Sequence, residues 1–176
     1  MPNWCSGSLT IEGTKTEIEK FCDYFFYEDE ELPKQYFART FVNMNRNAFK
    51  EEFLSELEDN NKIQSVFVCL DFAWSCRSCM IEGYPQDNKG VCPTLMEVCK
   101  KCNVKVSIET DEEGIGFEEF IICDKGILTK DECITMPTYV CKKCNCSQIK
   151  PSYKSVEDME CWECSESDCF ELEVEE

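Results

Sequence analysis

The chain has 176 residues, 43% of them hydrophobic and 12% aromatic, which is enough for a true core and argues against wholesale disorder. Its formal net charge is -18, a surface that repels phosphate backbones and disfavours sequence-independent nucleic-acid binding. It carries 16 cysteines and no histidine, so a zinc site here must be all-cysteine or include a carboxylate.

The amino terminus has no basic n-region and no apolar h-region, and no stretch approaches a transmembrane length, so a cytoplasmic chain without a membrane span is expected. In that setting dense cysteine points to metal and free thiols more than to disulfides. Four pairs have the C-x-x-C form: Cys76/Cys79, Cys99/Cys102, Cys141/Cys144 and Cys161/Cys164.

Leu9 and Ile11 alternate with polar neighbours and end at Gly13, a short first strand. Thr14-Lys15-Thr16-Glu17 is a capping box, and Ile18, Phe21, Cys22 and Phe25 follow at the spacing of one buried helix face. The helix fades in the acidic run 28–31, before Pro33. Tyr36 to Val42 reads as a short strand. Phe49, Phe53, Leu54 and Leu57 mark a second helix, ended by Asn60-Asn61. Val66, Val68, Leu70 and Phe72 alternate as a strand, and residues 76–92 read as a cysteine-bearing loop. A third helix runs from Pro93 to Asn103, with Leu95, Cys99 and Cys102 on one apolar face. Val104, Val106 and Ile108 make a strand. Phe117 to Cys123 and Ile127-Leu128 make a hairpin about Asp124-Lys125-Gly126.

Apart from the extra middle helix, this order is the split β-α-β plan of an α+β ferredoxin-like antiparallel sheet with helices on one face. A specific resemblance supports it. Pro2, Asn3, Trp4 and Cys5, then Leu9, Ile11 and Gly13, and later Ala73-Trp74-Ser75, resemble the motifs of the YubB ferredoxin-like family, encoded largely by plasmids and prophages. The stretch from Pro93 to Leu128 fits the same plan, so the resemblance covers residues 1–128. It implies a fold and a mobile-element context and supplies no reaction. The insert 76–92 departs from the family pattern.

After Pro137 the composition changes, and the expected division is 1–137 and 138–176. Cys141-x2-Cys144, the sixteen residues 145–160, then Cys161-x2-Cys164 is the spacing of a zinc ribbon, in which two knuckles bring four thiolates to one metal. A redox dithiol is the other chemistry open to such a pair. Cys146 and Cys169 lie nearby; either could replace a ligand, and each reads as a free thiol. Cys76 and Cys79 suggest a second zinc site, completed by Cys92 beside the third helix and by Cys5, because the first and third strands should be antiparallel neighbours. The expectation is one zinc ion in the ribbon, with a second in the insert.

No histidine, phosphate-cradling glycine loop or G-x-S-x-G motif points to an enzyme. The reading is a zinc-stabilised adaptor of a plasmid or phage, bound to a protein partner through the ribbon or the sheet. Two alternatives stand beside it. One is an acidic inhibitor of a nucleic-acid-binding host protein. The other is a nucleic-acid binder using Lys142, Lys143, Lys150 and Lys154, which the acidic tail from Glu157 opposes.

Overall fold

A computed structural model describes residues 3–26, 36–82, 85–86, 90–112, 114, 116–150 and 154–173. The expected acidic run 28–31 and Pro33 lie outside the described residues.

Strand β1 (Trp4–Gly13) is the spine of the larger sheet. It pairs along its whole length with β3 (Gln64–Ala73) and on its other side with β6 (Lys105–Glu112). Alternation sends Cys5, Leu9 and Ile11 of β1, Val66, Val68, Leu70 and Phe72 of β3, and Val106 and Ile108 of β6 to one buried face. Gly7 is needed where β1 meets β6, because a Cβ there would lie 2.7 Å from the Glu109 carbonyl oxygen.

Helix α1 (Lys15–Cys22) starts at the capping box, where the Thr14 N–H donates to the Glu17 carboxylate at 2.8 Å. Its apolar face continues into a 3-10 turn, Asp23–Phe25, so Phe25 is buried as the periodicity requires but lies beyond the α-helix. Strand β2 (Thr40–Phe41) is shorter than the stretch 36–42 led us to expect. Helix α2 begins earlier than expected, at Arg46, because the Asn45 side chain accepts the Ala48 N–H at 3.0 Å and caps it. It turns π-helical over Lys50–Leu54.

The insert is not loop throughout. Arg77–Ile81 forms a π-helical turn, followed by the small paired strands β4 (Pro85–Gln86) and β5 (Gly90–Val91). Glu119 explains the turn. Its carboxylate accepts the N–H groups of Cys76 at 2.7 Å and Arg77 at 3.2 Å, and the Thr110 hydroxyl at 3.1 Å. A buried acid is thereby satisfied, and the first turn is capped.

Helix α3 (Leu95–Cys102) has a second capping box at Thr94 and Glu97 and ends at Asn103, which is left-handed at φ 60°. Strands β7 (Phe117–Asp124) and β8 (Ile127–Thr135) complete the sheet. Lys125 and Gly126, at φ 48° and 92°, supply the two positive φ values that a tight hairpin turn needs.

The resulting fold is mixed α and β, with a six-stranded antiparallel sheet in the order β2-β3-β1-β6-β7-β8. Helices α1 and α3 contact each other and cover the buried face. The other face is open. It carries Trp4, Phe41 and Phe67, all exposed, with Asp71, Glu109, Asp111, Glu118 and Glu132 among them.

The carboxy-terminal residues form a three-stranded antiparallel sheet of β9 (Thr138–Cys141), β10 (Ser147–Ile149) and β11 (Phe170–Leu172), ordered β10-β9-β11. Its buried cluster, built on Cys141, Met159, Cys161, Cys169 and Phe170, shares no residue with the larger core. The two units touch where Ile149 packs on Gly116; a Cβ there would lie 2.7 Å from the isoleucine Cδ1. Among the described residues no helix is long and apolar enough to cross a membrane.

Candidate metal centre

Two turns of the same design face each other. In the first, the Asn145 N–H donates to the Cys141 carbonyl at 2.8 Å, and the Cys141 N–H donates to the Cys146 carbonyl at 2.9 Å. In the second, the Ser165 N–H donates to the Cys161 carbonyl at 2.7 Å, and the Cys161 N–H donates to the Glu166 carbonyl at 2.9 Å. Asn145 and Ser165 both have positive φ, at 64° and 55°. The chain thus turns back twice and points two thiols inward each time.

These turns bring the ligand atoms of Cys141, Cys144, Cys161 and Cys164 within 4.8 Å of one another. The Cys141 and Cys164 sulfurs are 3.7 Å apart, and those of Cys144 and Cys161 are 3.5 Å apart. Zn–S bonds of about 2.3 Å in a tetrahedron give sulfur–sulfur edges of about 3.8 Å. The four thiols therefore have the spacing to hold one metal ion, and the donor set suits zinc.

The backbone also favours thiolates there. The N–H groups of Cys144 and Lys143 point at the Cys141 sulfur and, against burial, hold its pKa down at about 6. Burial pushes Cys161 up, but the N–H groups of Cys164 and Glu163, with the Cys146 thiol, bring it below its ordinary value. The first cysteine of each turn is thus pre-organised as a ligand.

A cavity of about 470 Å3 lies beside β10, with Ile149, Met159 and Trp162 among its walls. None of the ribbon's cysteines lines it, so it gives no route to the thiol cluster.

The second expected set behaves differently. Among the described residues, Cys5, Cys76, Cys79 and Cys92 form no group of ligand atoms within 4.8 Å of one another. The strand-adjacency argument holds in part, since the Cys76 backbone N–H is a neighbour of the Cys5 sulfur, which also meets the Thr110 hydroxyl. However, the Cys79 thiol turns to the carbonyls of Ala73 at 3.3 Å and Arg39 at 3.5 Å. Burial pushes both Cys5 and Cys79 up to about 12, and raises Cys76 and Cys92 as well. Cys5, Cys76 and Cys79 are packed in the large core. Cys99 and Cys102 are likewise core residues, as their helix face implies. A hydrogen bond with Cys123, and then burial, raises the Cys99 pKa.

Lysines that could meet phosphate are engaged with carboxylates. Lys142 lies 3.4 Å from Glu171, and Lys143 lies 2.6 Å from Glu166.

The sequence places Cys146 and Cys169 near the ligands but does not show which ligand each one meets. The Cys146 sulfur is 3.2 Å from that of Cys161, and the Cys169 sulfur is 3.3 Å from that of Cys141. Their short distance along the chain from the C-x-x-C pairs was the available signal.

No protein-family model matches the chain, and neither a curated protein nor a solved structure matches it.

Proposed function

We propose that this chain is a zinc-stabilised accessory protein of a mobile element, a plasmid or phage, and that it acts in the cytoplasm by binding a basic protein partner. The metal has a structural role. Four cysteines fill all four positions of a tetrahedral ion and leave none for a substrate. The strand order β2-β3-β1-β6 supports a ferredoxin-like plan, with β7 and β8 added at one edge. The separate buried clusters support two units, 1–137 and 138–176.

The observation that carries the partner reading is the open face of the large sheet. Trp4, whose ring meets that of Phe41 edge-on at 5.3 Å between centroids, is 51% exposed there, and Phe67 is 56% exposed. Carboxylates surround them, and the two lysines on that face are already paired, Lys105 with Glu12 at 2.8 Å and Lys130 with Glu132 at 3.1 Å. Aromatic anchors inside an acidic field suit a surface rich in lysine and arginine. The pairing of Lys142 and Lys143 weighs against the nucleic-acid reading.

The test is affinity capture from the host cytoplasm with the parent chain and with a Glu109→Lys/Glu118→Lys variant whose fold is checked by circular dichroism. The reading expects a basic protein held by the parent, released by roughly 0.5 M salt and not held by the variant. Equal retention by both chains would overturn it.

A further inference from the structure

Four thiols complete a tetrahedral metal site, yet six cysteines meet in the ribbon. The additional two are crossed. Cys146 follows the first turn in sequence but lies against Cys161, which leads the second. Cys169 follows the second turn but lies against Cys141, which leads the first. Both sulfur pairs, at 3.2 and 3.3 Å, are closer than the 3.5 and 3.7 Å contacts within the ligand set.

Hydrogen bonds hold this crossing in place. The Cys169 carbonyl accepts the Lys142 N–H at 2.7 Å, and the Gln148 side chain, two residues after Cys146, donates to the Glu160 carbonyl at 3.2 Å and accepts the Trp162 N–H at 3.4 Å. Phe170, next to Cys169, stands opposite Cys141 in the β9–β11 ladder. Each additional thiol is therefore fixed beside a ligand of the other turn.

We propose that the ribbon is a hydroperoxide-responsive module with two exclusive sets of cross-links: the metal on Cys141, Cys144, Cys161 and Cys164, or the disulfides Cys146–Cys161 and Cys141–Cys169. The metal half of this statement rests on the metal centre described above.

Of the two additional thiols Cys146 is half-buried and Cys169 buried, so Cys146 is the one of the pair that an oxidant reaches first. Its sulfur attacks one oxygen of the hydroperoxide. The O–O bond breaks, Cys146 becomes a sulfenic acid, and one water leaves when the oxidant is hydrogen peroxide. The Cys161 thiolate then attacks the Cys146 sulfur. The S–O bond breaks, the S–S bond forms, and the departing hydroxide takes one proton to leave as a second water. Two electrons pass from the two sulfurs to the peroxide. A second equivalent does the same at Cys169 and Cys141. Each bridge takes one leading cysteine out of the ligand set. Both bridges tie one turn to the other, whereas a bridge within C-x-x-C closes a loop too short to do so.

The experiment titrates the purified full chain with hydrogen peroxide. It reads metal release with a chromophoric chelator and maps bridges by mass spectrometry after thiol blocking. Expected are release of the ribbon's ion and linked peptides carrying Cys146–Cys161 and Cys141–Cys169. A Cys146→Ser/Cys169→Ser variant should keep its ion before treatment and release it about tenfold or more slowly under peroxide. Bridges of Cys141–Cys144 and Cys161–Cys164, release without any bridge, or equally fast release from the variant would each overturn the proposal. An untreated chain without metal would instead refute the metal reading, and the bridge map would still decide this one.

Discussion

Residues 99–103 and 141–145 both spell Cys-Lys-Lys-Cys-Asn, and their backbones agree further than the difference in role implies. In both, the asparagine is left-handed, at φ 60° and 64°. In both, its N–H donates to the carbonyl of the first cysteine. The five letters therefore encode a turn. What differs is what the turn is attached to. At 99–103 it closes an α-helix, whose N–H groups are spent on carbonyls one turn back. At 141–145 a strand precedes it, so the N–H groups of Lys143 and Cys144 are free to point at the Cys141 sulfur. One cysteine is raised as a buried thiol and the other is lowered toward thiolate. The ligand role comes from the facing turn at 161–164 and not from the pentapeptide.

Metal removal should break the symmetry most strongly. Structural zinc contributes on the order of 10 kcal/mol to such modules. A strong chelator should abolish the hydrogen-exchange protection of β9–β11 and leave that of β1, β3 and β6 unchanged. Loss of protection in both would show that the units share one cooperative core.

Glu119→Ala should act the other way round, on the large sheet alone. It orphans the N–H groups of Cys76 and Arg77 and the Thr110 hydroxyl. Each buried donor left unpaired costs about 1–3 kcal/mol. The melting temperature should fall, with metal content unchanged. The acid also predicts a pH dependence. Burial raises its pKa above the usual carboxylate value, against the pull of those donors. A raised folded-state pKa gives stability that is full below the unfolded value and lost as pH rises through the folded one. As pH rises from the usual carboxylate value through the raised one, the parent should therefore lose stability relative to Glu119→Gln. A difference that does not vary with pH would remove the account of this residue.

The smallest effects sharpen the comparison at the turn itself. Holding a residue with a Cβ in the left-handed region costs roughly 1–2 kcal/mol, less for asparagine. Asn103→Ala and Asn145→Ala should each destabilise their own unit by about 1 kcal/mol. Asn103→Ala should do somewhat more, because its side chain also donates to Glu17 at the cap of α1. Thermal melts of the two variants against the parent check this; an effect at only one site would mean that the turns are not equivalent.

What could be read from the sequence was whatever is encoded locally. Alternation marked β1, β3 and β6, a capping box marked α1, Pro93 and the apolar spacing of Leu95, Cys99 and Cys102 marked α3, and the C-x-x-C spacing marked the four thiols that the structure brings together. What escaped depends on distant partners. The turn at Arg77–Ile81 is capped by a carboxylate more than forty residues further along the chain. Cys169 meets Cys141 because β11 pairs with β9, which no local pattern announces. The Cys79 thiol faces two backbone carbonyls, those of Ala73 and of Arg39, far off in sequence.

The most direct test of the central claim is metal stoichiometry per chain in Cys141→Ser and Cys99→Ala, each against the parent. Cys141→Ser takes a thiolate from the site, and because Cys169 stands 3.3 Å away the decisive form is Cys141→Ser/Cys169→Ser. That double variant should lose the ribbon's ion. Cys99→Ala removes one buried sulfur, costs roughly 1–2 kcal/mol and should leave the stoichiometry at the parent value. An ion retained in full by Cys141→Ser/Cys169→Ser, or one lost on Cys99→Ala, would contradict the account.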